Sequence, residues 1–130
     1  MRSHLEANCI AFVAATFFGC TCVFGQNETD RFFEKLKPKL VEMTTCYDVN
    51  TVRFAAKTCE PASTVVEAAY GVCGTQERSY TDDWRALGGP EYADIGWHLI
   101  EEAKQSMRQQ LLGVVLRTRV KFGLCLDNPN

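Results

Sequence analysis

Histidine is scarce in this chain, and that scarcity excludes most of the familiar catalytic constellations. Only His4 and His98 occur in 130 residues. A serine or cysteine nucleophile needs a nearby base, usually histidine, itself oriented by a carboxylate. No Gly-x-Ser-x-Gly elbow accompanies the histidines. Charge of one sign is also lacking: the formal net charge is −2. A near-neutral balance argues against a dedicated nucleic-acid or acidic-substrate binder. The chain has no alternating apolar–polar run long enough for a sheet, no internal repeat and no low-complexity linker. From Cys9 to Phe24 no residue is charged; that run has 16 residues, short of the ~20 that span a bilayer.

That run is the first thing the chain does have. Arg2 makes a weakly basic start, the apolar run follows, and small residues close it at Val23 and Gly25. The pattern predicts a signal peptide over residues 1–25, cut before Gln26. Cleavage leaves a single domain, residues 26–130, with a net charge still of −2 because Arg2 and Glu6 leave together. Two alternatives stand beside it. Phe17-Phe18-Gly19-Cys20 is a degenerate lipoprotein box, which would anchor the chain through Cys20, and an uncleaved segment would be an N-terminal anchor.

The chain has seven cysteines, and cleavage removes Cys9, Cys20 and Cys22. Four remain, which pair completely, as a secreted or periplasmic location favours. They are Cys46, Cys59, Cys73 and Cys125. Cys59 lies midway between Cys46 and Cys73, beside Pro61, as in a helical hairpin that turns there and is bridged across its arms.

Three segments carry helical periodicity. The first runs from Thr29 to Ala56, with Phe33, Leu36, Leu40, Met43, Tyr47 and Phe54 on one stripe and Pro38 predicting a kink or break. The second begins at Glu60-Pro61, places Val65, Ala69, Val72, Cys73, Gln76, Tyr80, Trp84 and Leu87 on one face, and stops at Gly88-Gly89-Pro90. The third, from Glu91 to Phe122, turns Tyr92, Ile95, Leu99, Ala103, Met107, Leu111, Val114 and Phe122 inward and ends at Gly123. The expected fold is therefore all-α: an antiparallel three-helix bundle, its first helix kinked or broken near Pro38, with two disulfides. In an up-down-up bundle the end of helix three returns to the start of helix two. The pairing Cys46–Cys73 and Cys59–Cys125 then needs no distortion.

Candidate sites are few. Asp94, His98 and Glu102 stand four apart on one helix face, the spacing of a divalent-metal site, with Asp82 and Asp83 across the turn. Tyr80, Trp84, Tyr92 and Trp97 collect at one end of the bundle, where they form either core or a pocket for an apolar ligand. The basic runs Lys35–Lys39 and Arg117–Lys121 scatter their charges around a helix and read as solvated surface. Glu101-Glu102 and Asp82-Asp83 point about 100° apart within each pair, so neither pair faces one substrate bond. Asn27-Glu28-Thr29 matches a glycosylation acceptor. No cofactor is expected.

Cys46, the stretch Glu60-Pro61-Ala62-Ser63-Thr64-Val65-Val66-Glu67-Ala68-Ala69, Cys73, Val114-Val115 and Arg117 resemble small exported all-helical proteobacterial proteins of unknown function. That resemblance implies an envelope location and supplies no activity. The expected function is a non-enzymatic interaction or accessory role with a protein partner of the cell envelope or exterior. The alternatives are a carrier of a small apolar ligand at the Trp84/Trp97 end, and a metal-binding protein or enzyme centred on His98. Neither nucleic acid nor a stable membrane span after cleavage is expected.

Overall fold

Stop signals and apolar stripes divide the described residues into four helices. The computed structural model describes residues 26–125, with side chains from Arg31 onward. The leader segment, its alternative lipid attachment at Cys20, the Asn27 side chain and residues 126–130 lie outside what is described.

Helix α1 spans Gln26–Ala55 and runs through Pro38 without a break. The expected break is absent although the proline removes one amide donor. Burial on both sides of it holds the helix: Leu36, Met43, Tyr47, Thr51 and Ala55 form a continuous inner stripe. Phe33 and Leu40, placed inward by periodicity, are exposed. Phe32 turns inward instead, its ring 4.8 Å from that of Trp84.

The expected second helix is two helices. Helix α2 spans Ala62–Val72 and α3 spans Gly74–Gly88. Cys73 sits between them at φ −92°, ψ 10°, in the sparsely populated bridge region. Its amide closes a short turn onto the Tyr70 carbonyl (3.1 Å), and its own carbonyl accepts from the Glu77 amide (3.1 Å) to start α3. Gly71 and Gly74 flank the break, and each costs about 1 kcal/mol of helix propensity relative to alanine. Val72 and Leu87, assigned to the inner face, are exposed.

Helix α4 spans Pro90–Phe122, with Pro90 at its first turn and Gly89 before it at φ +90°. Gly123 caps the end in the left-handed conformation that glycine adopts without a Cβ penalty. The buried face of α4 is Ala93, Gly96, Ile100, Leu111, Val115, Thr118 and Arg119. It is rotated about one residue from the expected stripe, leaving Ile95 and Phe122 exposed. Gly96 is what lets α3 and α4 approach: a Cβ there would lie 3.0 Å from the Trp84 ring.

The long helices α1 and α4 each contact all other helices, and the short α2 and α3 lie in series against them. Two disulfides join these layers, in the expected pairing. Cys46–Cys73 ties α1 to the α2–α3 junction (Cα–Cα 5.9 Å). Cys59–Cys125 ties the loop before α2 to the residue that follows α4 by three positions (Cα–Cα 5.5 Å). No helix among the described residues is long and apolar enough to cross a membrane.

Candidate functional site

The break at Cys73 has a chemical consequence. It brings the next turn of α3 inward at Glu77, which is 6% exposed. A buried carboxylate is costly unless it is paired and hydrogen-bonded. Glu77 is both. Tyr47 of α1 donates its hydroxyl to Glu77 Oε1 at 2.8 Å, and Lys104 Nζ of α4 approaches the same oxygen at 3.0 Å. Lys104 also donates to Glu101 Oε1 at 3.2 Å and stands 5.7 Å from the Tyr70 ring centre. The Tyr70 hydroxyl donates to the Lys104 carbonyl at 2.8 Å. Tyr47 and Tyr70 meet edge to face at 4.8 Å. Outside this chain of contacts, Arg108 of α4 pairs with Glu67 of α2. A depression of about 120 Å³ opens there, lined by Glu67, Tyr70, Glu101, Lys104, Gln105 and Arg108.

The electrostatics fix the protonation of the cluster. Burial pushes the Tyr47 hydroxyl well above the ordinary tyrosine range, and Glu77 adds to the shift. Burial also raises Tyr70, against the opposing charge of Arg108. For Lys104 burial acts to lower the pKa, but the hydrogen bonds and charges of Glu77 and Glu101 outweigh it and hold the ammonium above its usual value. Near neutral pH the cluster is thus a neutral tyrosine pair and a charged lysine. It clamps all four helices, and it presents no free amine or phenolate.

The Cys46–Cys73 bridge lies at the same junction. Asn50 donates from Nδ2 to the Cys46 carbonyl at 2.9 Å, with Cys46 Sγ at 3.4 Å and Cys73 Sγ at 3.8 Å. A second polar anchor lies at the other bridge. Arg119, assigned to solvated surface from its sequence context, is 7% exposed. Its Nη2 donates to the carbonyls of Thr58 (3.0 Å) and Glu60. The loop before α2 needs those donors because its carbonyls fall outside any helix.

The sequence-assigned site residues separate. Tyr80 and Trp84 are core, 4% and 5% exposed, whereas Tyr92 and Trp97 are 38% and 39% exposed. Trp84 packs against Tyr80 and Tyr92 at 6.3 Å each, with Phe32 closing the cluster. The larger depressions lie elsewhere. One of about 220 Å³ is lined by Lys35, Leu36, Asp83, Ala86 and Leu87, and one of about 240 Å³ lies between the end of α1 and the start of α2. Neither includes Trp84 or Trp97. His98 Nε2 lies 3.3 Å from Glu102 Oε1, with both side chains mostly exposed. Asp94 is also exposed, and no group of three or more histidine, cysteine or acidic side chains placed to hold a metal ion occurs among the described residues. Asp82 pairs with Arg85 of its own helix at 2.8 Å.

Glu77, Lys104, Tyr47 and Tyr70 were not legible as a site. Their signal was an interrupted stripe: Ile100, Lys104, Arg108, Leu111 and Val115 follow helical spacing, so two cations stand in line with three core residues.

Neither protein-family models, curated proteins nor solved structures yield a match to this chain.

Proposed function

We propose that this chain is an exported, disulfide-stapled helical protein of the cell envelope or exterior, which acts by binding a protein partner and not by catalysis. One observation carries the reading: an apolar ridge on the last turns of α4. Leu116 and Val120 stand four apart along one side of the helix, in line with Leu112, which is part-buried against the core one turn earlier. Leu116 is 56% exposed and Val120 69% exposed. Arg117 and Lys121 flank the ridge in sequence and are exposed. An apolar strip beside basic side chains suits a partner face that is apolar with an acidic rim. The two disulfides and the leader-like segment support export, as does the resemblance to small exported helical proteins.

The test is affinity capture from the native extract, comparing the wild-type chain with Leu116→Glu/Val120→Glu. A partner held by the wild type and lost by the variant, with helical circular dichroism unchanged, is the expected result. Equal capture of the same partner by both would remove the ridge from the interface.

A further inference from the structure

The two disulfides differ in exposure and in backbone conformation. Cys73 is fully buried, and Cys46 is half-buried with Asn50 against the bridge. In the other bridge Cys59 is exposed and Cys125 is half-buried. Cys125 also has φ +60°, the one non-glycine residue with positive φ among those described. That left-handed backbone is disfavoured for a residue with a Cβ and persists only where the surroundings impose it. Opening the bond would release it. Accessible or strained disulfides are the ones that exchange with thiols, whereas buried relaxed ones resist reduction.

The surroundings favour one direction of attack. Cys125 Sγ lies 3.8 Å from the Thr58 carbonyl oxygen, to which the Arg119 guanidinium donates at 3.0 Å. Cys59 is the exposed sulfur of the pair and Cys125 the half-buried one, so an incoming thiolate reaches Cys59 and Cys125 is the sulfur that leaves. The same guanidinium holds the loop to α4 through backbone carbonyls, so the two parts stay joined when the bond opens.

We propose that Cys59–Cys125 is a thiol-exchange site, opened by a thiolate that attacks Cys59 Sγ, while Cys46–Cys73 remains closed. In that step a new S–S bond forms between the incoming sulfur and Cys59, the Cys59–Cys125 bond breaks, and Cys125 leaves as the thiolate. A second thiol then displaces Cys59. The thiols are oxidised to a disulfide, and the protein gains the two electrons and, at its two sulfurs, the two protons.

The experiment uses the full chain with its free thiols first blocked. It is titrated with dithiothreitol, alkylated, and mapped by peptide mass. Cys59 and Cys125 are expected to label at reductant concentrations about tenfold or more below those that label Cys46 and Cys73, with helical circular dichroism retained. Reduced glutathione should leave its mixed disulfide on Cys59. Parallel rates with glutathione and with a cysteine-containing peptide identify the favoured source, a small thiol or a polypeptide. Opening of both bonds together, opening of Cys46–Cys73 first, an adduct on Cys125 alone, or loss of helix with the first bond would each overturn the proposal. Cys59→Ser/Cys125→Ser is expected to fold with the inner bridge intact and to form no adduct. Failure of that variant to fold would make the bond a staple and reject the exchange role.

Discussion

Lys104 decides the energetics at the residue scale. Among the described residues it is the one cation that Glu77 meets, and Glu77 is almost wholly withdrawn from water. Replacing Lys104 by methionine keeps an unbranched apolar stem and deletes the charge. Lys104→Met is expected to lower unfolding free energy by about 2–3 kcal/mol, read by urea denaturation. A loss below about 0.5 kcal/mol would mean that water already compensates Glu77. The local pattern does not mark this pair, because helical periodicity is carried by apolar residues. Tyr47 was placed in the core correctly, but its hydroxyl partner lies thirty positions away in sequence, and no periodicity reports such a contact. Arg119 escaped for the same reason: its acceptors are loop carbonyls 61 and 59 positions away.

Periodicity served better at the scale of the element. The all-helical content, the stop at Gly88–Pro90, the Gly123 cap and both cysteine pairings followed from spacing and stop signals. The pairings were legible because chain reversal sets which ends meet, whatever the helix rotation. What failed was phase and continuity. α4 turns its Ile100 side inward because Gly96 admits Trp84 closely, and a glycine carries no apolar side chain to mark a stripe. α2 and α3 part at Cys73, a residue that reads as an ordinary member of the stripe. α1 persists where proline predicts a break, so the proline costs stability there. Pro38→Ala restores an amide donor to the Glu34 carbonyl and removes a ring clash worth roughly 3 kcal/mol. The greater freedom of the unfolded chain returns about 0.4–1 kcal/mol of that. A net gain of about 2 kcal/mol is expected in denaturant unfolding, and no gain would show that α1 has already relaxed around the ring. Removing the inner bridge with Cys46→Ser/Cys73→Ser is expected to cost about 2–4 kcal/mol.

At the scale of the molecule, the described residues form two long helices braced by two short ones, clamped inside by a polar cluster and stapled at two levels. The cluster makes alkaline pH its weak side. Tyr47, Tyr70 and Lys104 all have folded-state pKa values raised above their ordinary ones. Above about pH 10 the unfolded chain releases these protons while the folded chain retains them, so stability falls as pH rises. Below that range their contribution is complete. Urea midpoints should be flat with respect to these groups between pH 7 and 9 and drop from about pH 10 upward. A midpoint that held constant to pH 11 would detach the cluster from stability.

An envelope or exterior location and a partner met there both require an exported chain in which the four cysteines are bridged as two pairs. The most direct measurement is the intact mass of the protein recovered from its native source, followed by non-reducing peptide mapping. The expected result is a chain beginning at Gln26 with two linked peptide pairs, Cys46 with Cys73 and Cys59 with Cys125. A chain retaining residues 1–25, with those four cysteines recovered as free thiols, would contradict it.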